Sequence, residues 1–295
     1  MNKKIIISTC FVLWGIFSVN AQWKAYQNHS GKWGLEWEDL SGNIQHRIPA
    51  RFDSILFSMN PLPTNDFDAL IPFSEKRAGV KIGQFWGFID SLGIAVTSIS
   101  YDRIGPFVHG FARVERNGKQ TWVNANGKEI APLIYDIDPN SFSVFQNGKC
   151  RVSYQRHWGF MDTSGKIVIK PQYRNVGNFS DGMAWVQNYS SGNFGYINST
   201  GIEVIPATRD YLKVYSFSEG LAAIEMPIFD EEDPGSYQLM IGFIDKKGDL
   251  VIPIQYQSGL SSSENSWMFH QDRLSVYLKN GQSVIINRKG EIIKK

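Results

Sequence analysis

One short run recurs along this chain of 295 residues and constrains its fold more than any other feature. Each copy joins Trp-Gly or a close variant to an aromatic residue, then Ile or Met, then Asp or Asn. Clear copies lie at 86–90, 158–162, 194–198 and 241–245, and weaker ones at 33–35, 122–124 and 285–287. The copies lie roughly 34 to 53 residues apart, which is typical of one supersecondary unit repeated in tandem.

The end of each run predicts a hairpin turn. Every copy reaches a glycine three residues after its Asp or Asn, as in Asp162 to Gly165. An Asp or Asn side chain can accept a hydrogen bond from its own backbone two residues on, and glycine adopts the positive φ that closes a short turn. The recurring Asp residues are therefore interpreted as turn formers, and not as catalytic groups.

The residues around the run predict two further strands in every unit. After the turn comes an apolar run such as Val-Ile-Pro at 204–206 or 251–253, which we expect to end at its proline because proline has no N–H for a ladder. Phe-Ser-Asp-Gly-Met-Ala at 179–184 and Phe-Ser-Glu-Gly-Leu-Ala at 217–222 then open a strand of small residues. Each unit is thus an antiparallel meander of a small-residue strand, a Trp-Gly strand and a proline strand.

This pattern predicts an all-β fold of tandem three-stranded meanders in an open, solenoid-like array. The alternative is a closed, propeller-like ring, which has no exposed ends. Alternation along the Trp-Gly strand places Trp158 and Phe160 on one face and Gly159 on the other, where a neighbouring strand or unit can approach closely. We expect the recurring tryptophans to be core residues. Three insertions, at 58–77, 227–238 and 258–267, are expected in equivalent loops along one edge.

The N-terminus predicts export. Lys3 and Lys4 precede an uncharged apolar run, and Val19-Asn20-Ala21 puts small residues at −3 and −1 of a cleavage site. Residues 1–21 are therefore expected to be a signal peptide, and 22–295 a single array of about six units plus a terminal partial unit. The run is roughly 15 residues long, shorter than the ~20 that cross a bilayer. We therefore expect a periplasmic or secreted protein with no stable membrane span after cleavage.

Charge and chemistry favour a protein that binds rather than catalyses. The formal net charge of +2 falls to about zero when Lys3 and Lys4 leave, so nucleic acid is not an expected partner. Cys150, the one cysteine left, has no base in an evident motif, and the five histidines lack metal-ligand spacing. We expect no enzyme activity, no catalytic residue, no metal site and no cofactor.

The residues that do not repeat are the candidates for binding. One set is the acidic run Asp230, Glu231, Glu232 and Asp233, which is read as a solvated loop rather than a calcium site because it has no EF-hand register. Together with Tyr101 and Tyr135 it is expected on a loop edge that contacts an envelope protein. The other set is Trp185, Trp267 and Tyr189, expected as exposed rings that would stack on a polysaccharide.

The ordered run of Trp-Gly-Phe-Ile-Asp, a turn glycine, Val-Ile-Pro, Tyr-Asp and Phe-Ser-x-Gly-Leu-Ala resembles the bacterial WG-repeat family, also written KWG repeats. The resemblance extends from Trp33 to Lys295 and is best at the copies beginning at 86, 158, 194 and 241. The copy near Trp122 lacks the Trp-Gly pair, and the copy at Ile241 lacks the first aromatic residue. The resemblance implies a β-repeat scaffold and supplies no catalytic residue.

Overall fold

The fold consists of β-strands joined by turns. The computed structural model describes residues 22–56, 58–59, 70–71, 74–137, 144–230, 233, 235–258 and 267–294. Every strand pair in these ranges is antiparallel, and no α-helix occurs in them. The chain divides into two compact units, one ending at Phe145 and the other beginning at Gln146. The predicted signal peptide, 1–21, lies outside the described residues.

The first unit holds three meander sheets and one two-stranded ribbon. The sheets run β1-β2-β3, β4-β7-β8 and β12-β11-β10-β9, and the ribbon is β5-β6. The strands are β1 (Gln22–Gln27), β2 (Trp33–Glu38), β3 (Ile44–Phe52), β4 (Ser54–Leu56), β5 (Ser58–Met59), β6 (Leu70–Ile71), β7 (Arg77–Ile82), β8 (Phe85–Asp90), β9 (Arg103–Ile104), β10 (Phe111–Arg116), β11 (Lys119–Asn124) and β12 (Tyr135–Asp136).

The second unit holds four meander sheets, ordered β13-β14-β15, β16-β17-β18-β19, β20-β21-β22-β23 and β24-β25-β26. The strands are β13 (Lys149–Tyr154), β14 (His157–Asp162), β15 (Ile167–Tyr173), β16 (Asn175–Val176), β17 (Met183–Gln187), β18 (Phe194–Asn198), β19 (Glu203–Arg209), β20 (Lys213–Val214), β21 (Leu221–Phe229), β22 (Tyr237–Asp245), β23 (Leu250–Gln257), β24 (Leu274–Tyr277), β25 (Ser283–Ile286) and β26 (Ile292–Lys294). The predicted order of small-residue, Trp-Gly and proline strands is confirmed.

The Trp-Gly strand is buried on both of its faces. In β14, Phe160 packs in a cluster with Ile169 and Val176, while Met161, on the opposite face, is also fully buried. β18 and β22 repeat this pattern. Each meander therefore packs on both sides, which explains why the middle strands read as nearly continuous apolar runs rather than as a simple alternation. The tryptophans of β2, β8 and β14 are partly buried, and Trp122 of β11 is fully buried.

The proline does not end its strand, which corrects the sequence prediction. Strand β15 continues through Pro171 to Tyr173. Phe160 faces Ile169 while Trp158 faces Tyr173, so two residues of β14 span four of β15 and the extra residues form a bulge. A bulge breaks the ladder locally, so the missing N–H of proline removes no hydrogen bond there.

The glycine of the Trp-Gly pair makes room for this bulge. A Cβ placed on Gly159 would lie 2.4 Å from the carbonyl oxygen of Ile169 and 2.6 Å from the nitrogen of Pro171. On Gly195 it would meet the backbone of Ile205 and Ala207 at 2.5 and 2.7 Å. The predicted close approach is confirmed, and the element that approaches is the proline strand of the same sheet.

The Asp and Asn residues form the predicted turns. One oxygen of Asp162 accepts from the backbone N–H groups of Ser164 and Lys166 at 2.9 and 3.1 Å. Asn198 makes the equivalent pair with Thr200 and Ile202, at 3.0 Å each. The same bonds recur at Asp39, Asp90, Asn124, Asp245 and Asn287.

Successive meanders are joined by contacts between turn glycines and buried isoleucines. A Cβ on Gly201, a turn residue, would lie 3.0 Å from Ile169 of the preceding sheet. A Cβ on Gly248 would lie 3.2 Å from the side chain of Ile205. The contact recurs between Gly93 and Ile48 and between Gly290 and Ile252. Each of these four turns therefore packs on the proline strand of the preceding meander.

A second row of turns links the meanders at the start of the small-residue strands. Glu219 and Gly220 both have positive φ and close a two-residue turn between Ser218 and Leu221. The carboxylate of Glu219 accepts from the backbone N–H groups of Gln271 and Asp272, in the equivalent turn of the next meander, at 2.6 and 2.9 Å. Asp181 accepts from Gly220 in the same way at 2.6 Å. We call these contacts the turn ladder.

The three insertions do not lie in equivalent loops, so that expectation was wrong. The insertion at 227–238 extends the hairpin between β21 and β22, a small-residue strand and a Trp-Gly strand. The insertions at 58–77 and 258–267 each follow a proline strand and precede the next small-residue strand, β7 or β24. Most of their residues lie outside the described ranges.

Candidate binding surfaces

Three glutamates that the sequence interpretation passed over are buried, each in a different sheet. Glu115 of β10 lies 2.8 Å from Arg113, measured from Oε1 to Nη2. Glu225 of β21 accepts from the hydroxyl of Tyr215 at 3.0 Å, and Glu36 of β2 pairs with Arg47 at 2.9 Å. Burial, reinforced by the charge of Glu225, raises the pKa of the Tyr215 hydroxyl. These pairings give the carboxylates a structural role.

A sequence signal for two of these glutamates was present. Each is the fifth residue of its small-residue strand, as in Arg-Val-Glu at 113–115 and Ala-Ile-Glu at 223–225. Within the ranges that the structure describes, no three His, Cys, Asp or Glu side chains are grouped closely enough to hold a metal ion.

Trp185 and Trp267 are not exposed, so their expected place on a sugar-binding surface was wrong. Trp185 is 8% exposed and Trp267 5%. The indole of Trp185 lies over Gly177, whose position for a Cβ is only 2.1 Å from Nε1. In the next meander the corresponding pair is Tyr215 and Ala223. There the large residue takes the position of Gly177 and the small residue takes the position of Trp185. Both tryptophans fill space between sheets.

Tyr101 and Tyr135 are also buried, which corrects their expected place on a loop edge. The hydroxyl of Tyr101 donates to Glu129 at 2.9 Å, and burial and this carboxylate raise the pKa of the hydroxyl. Tyr135 packs edge-on against Trp122 with ring centroids 6.0 Å apart. Both tyrosines belong to the packing between strands.

Tyr189 is on the surface, as expected. Its side chain is 50% exposed and its ring stacks on His157, with centroids 4.5 Å apart and planes 17° apart. It lies in the turn between β17 and β18, and His157 begins β14. The imidazole of His157, which is partly buried, covers one face of the tyrosine ring, and Tyr189 is the exposed member of the stack.

Two residues of the acidic run, Asp230 and Asp233, lie at the tip of the longest hairpin that the structure describes. Asp230 follows β21 directly, and its N–H donates to Ser236 O at 3.0 Å. The carbonyl of Asp233 accepts from Ser236 N at 2.8 Å. Glu231 and Glu232 lie outside the described residues. The structure therefore places Asp230 and Asp233 in the turn of this hairpin.

The hairpin itself was not predicted from the sequence as a continuous element. β21 and β22 each have nine residues, whereas β13 and β14 each have six. Near the tip, Phe229 and Tyr237 face each other across the strands with ring centroids 5.8 Å apart, and they are 61% and 55% exposed. The missed signal was the apolar residues on each side of the acidic run, Pro-Ile-Phe at 227–229 and Tyr237 with Leu239.

Comparison with known families agrees with these repeats. The family described as WG containing repeat matches residues 86–119, 158–190, 194–226 and 241–265. The chain carries four WG repeats. Each matched segment begins within a Trp-Gly strand or its variant, and the segments at 158, 194 and 241 include the proline strand, so the WG motif marks the middle of a meander rather than its first strand. No curated protein matches the chain.

Similar solved structures include two β-rich proteins at low sequence identity. BamB from Moraxella catarrhalis is 12% identical, with a TM-score of 0.37, over 92% of this WG-repeat chain and 80% of BamB. Hsv2p from Kluyveromyces lactis is 11% identical, with a TM-score of 0.41, over 72% of this chain and 71% of that protein. Scores this low do not indicate a shared function.

Within the ranges that the structure describes, no segment forms a helix that is long and apolar enough to cross a membrane.

Proposed function

We propose that this WG-repeat protein is an exported, non-catalytic binding protein that holds a protein partner in the cell envelope. The observation that carries the proposal is the contrast between its recurring and its unique residues. The carboxylates of the WG motif accept hydrogen bonds in turns, as at Asp162 and Asp245, whereas Phe229 and Tyr237 project from the surface. Repeat arrays bind through such extended surfaces.

Export is supported by the layout of residues 1–21 and is tested separately. Fused to a reporter enzyme that is active only outside the cytoplasm, residues 1–21 should confer activity. N-terminal sequencing of the exported chain should begin at Gln22. A matched fusion with Asp replacing Leu13 and Ile16 interrupts the apolar run and should abolish export. Equal activity of the two fusions contradicts this part of the proposal.

Partner binding is tested in the parent organism. A C-terminally tagged chain is crosslinked in intact cells, and proteins enriched over a tagged, unrelated periplasmic protein are identified. We expect one envelope protein to be enriched reproducibly and to bind the purified chain directly. A chain that enriches no protein over the control in repeated experiments contradicts the proposed function.

Glycan binding remains a second candidate because of the exposed ring of Tyr189, which His157 supports on one face. Sugar rings stack on flat aromatic surfaces of this kind. A panel of immobilised polysaccharides tests it, with Tyr189→Ala as the variant and Tyr237→Ala, at an exposed tyrosine of another hairpin of the same unit, as the control. Binding that is lost only in Tyr189→Ala supports glycan recognition, and an absence of binding to the whole panel argues against it.

A further inference from the structure

The hairpin β21–β22 carries an addition that the other hairpins of its unit lack. In β13–β14 the last pair before the turn is Tyr154 with His157, and the equivalent pair here is Met226 with Met240. Beyond that pair the ladder continues through Pro227 with Leu239 to Phe229 with Tyr237. The segment 227–239 therefore extends the hairpin past the point where the β13–β14 hairpin turns.

The added segment is poorly suited to pairing with another strand. In the described part of the chain, β20 pairs with β21 only at Ile224 and Glu225, so β20 does not cover the edge beyond Glu225. The backbone groups on this edge belong to alternate residues, since the carbonyls of Ala223 and Glu225 accept from the N–H groups of Tyr215 and Leu212. The next such residue is Pro227, which has no N–H. Proline at this point discourages strand addition, so recognition would use side chains.

All the charged residues of the β21–β22 hairpin are acidic. Between Leu221 and Asp245 the sequence contains no Lys or Arg, while positions 230–233 are all acidic. Asp230 and Asp233 lie in the turn next to the exposed pair Phe229 and Tyr237. An aromatic ring attracts a cation through the negative potential of its face, and a carboxylate beside it strengthens that attraction. An uncharged sugar could donate hydrogen bonds to these carboxylates but would gain no attraction between opposite charges.

We propose that the tip of the β21–β22 hairpin binds a cationic protein segment. The Lys or Arg side chains of that segment lie over the rings of Phe229 and Tyr237 and pair with Asp230 and Asp233. This inference rests on the proposed function, because it names the chemistry of the partner and the surface that holds it.

The test uses a labelled twelve-residue peptide of alternating Arg and Ser, and a peptide in which neutral citrulline replaces every Arg. Fluorescence anisotropy with the purified chain should show at least tenfold tighter binding of the Arg peptide, with affinity falling as salt rises. The paired change Phe229→Ala with Tyr237→Ala should weaken binding at least fivefold. The matched control is Tyr154→Ala, which removes an exposed tyrosine from another hairpin of the same unit.

Two further variants separate binding from folding. Replacing 227–239 by Asn-Gly restores a two-residue turn like that at Gln155 and Arg156, which both have positive φ. Asp230→Asn with Asp233→Asn keeps side-chain size and removes charge. Both should keep the thermal transition of the unaltered chain and lose binding of the Arg peptide. Unchanged binding in the shortened chain overturns the proposal, as does equal affinity for the two peptides.

Crosslinking in intact cells distinguishes failure of the hairpin proposal from failure of the proposed function. If the shortened chain still enriches the envelope protein that the unaltered chain enriches, the hairpin proposal is wrong and the proposed function stands. If the unaltered chain enriches no protein at all, the proposed function itself is wrong.

Discussion

The glycine of the Trp-Gly strand lies directly beneath backbone that follows in the same repeat, which is the proline strand at Gly159 and residues 98–99 at Gly87. At Gly159 the nearest atoms are the carbonyl oxygen of Ile169 and the nitrogen of Pro171, which cannot rotate away as the end of a side chain can. The bulge that accommodates Pro171 is also what presses on Gly159. The repeat at Gly87 has no proline in this segment and keeps the close approach, so the glycine is required by the backbone that crosses it.

Gly159→Ala should lower the free energy of unfolding by about 2–3 kcal/mol, since overpacking against backbone forces strands apart. Urea denaturation followed by circular dichroism measures it. Gly182→Asn is the control: Gly182 has a φ of +81° and no described atom lies within 4 Å of its Cβ position. Asn adopts such a φ readily, so the control should cost less than about 1 kcal/mol. Equal losses in the two variants would contradict this role for Gly159.

The carboxylate of Asp162 makes the free energy of unfolding depend on pH under acidic conditions. The hydroxyl of Ser164, with backbone N–H groups, lowers the pKa of the Asp162 carboxyl. A lowered pKa means that the stabilisation is present above the ordinary value and is lost as the pH falls through the folded value, below about pH 4. Asp162→Asn should keep the turn, as Asn198 does, while making the stability less sensitive to pH. Asp162→Ala should lose the turn at neutral pH as well.

The measurement for Asp162 is urea denaturation at pH 7 and pH 3. The difference between the two pH values should be smaller for Asp162→Asn than for the unaltered chain. An unchanged difference would show that the carboxylate contributes nothing specific to folding.

At the scale of elements, meanders are held in sequence by backbone groups as well as by apolar packing. Each turn of the turn ladder keeps two residues at positive φ, and in several copies one of them is acidic: Glu75, Asp181 and Glu219. These carboxylates satisfy backbone N–H groups of the next meander that would otherwise bond to water. The acidic residue of each of these turns therefore joins neighbouring meanders rather than acting as a ligand-binding group.

Glu219→Ala should destabilise the second unit by about 1–2 kcal/mol, because two backbone N–H groups lose a charged acceptor. Thermal and urea denaturation both measure it, and Glu219→Gln should lose less because one acceptor oxygen remains. Asp249→Ala, at an exposed acidic residue of another turn, should change stability by less than about 0.5 kcal/mol. A loss for Asp249→Ala as large as that for Glu219→Ala would point to general charge effects.

The strands and their order were predictable because the signals are local. Alternation, the Asp or Asn turn and its glycine all act within a few residues, and they located even the weak copies at Trp122 and Ile285. The bulge at Pro171 was missed because it depends on the glycine of the neighbouring strand. Burial of Trp185 was missed for a similar reason, since it depends on Gly177 across the sheet. The prediction that catalysis is absent stays a prediction.

At the scale of the whole molecule, burial on both faces makes each meander depend on its neighbours within its unit. Cys150 of β13 is fully buried, at a position where the small-residue strands β7, β10, β17 and β21 carry alanine. Its thiol can meet a reagent only when the sheet opens. The cysteine is therefore a natural reporter on the opening of the second unit.

Cys150 should react with a thiol-specific reagent at a rate that follows unfolding. Native protein should be labelled slowly, and Gly159→Ala, which loosens the same sheet, should be labelled faster. Mass spectrometry at timed intervals measures both, and a chain unfolded in urea gives the limiting rate. Stoichiometric labelling of the native chain within seconds would contradict the buried position.

The contact between a turn glycine and the preceding isoleucine has a direction, as Gly201 on Ile169 and Gly248 on Ile205 show. Among the repeats that share this contact, removing or duplicating one whole period leaves each turn glycine with an isoleucine to contact, whereas a cut of any other length leaves the partners out of register. Copy number is therefore a variable that recombination between repeats can change in a single event. Arrays of this kind can gain or lose whole repeats during evolution without requiring a new interface between repeats.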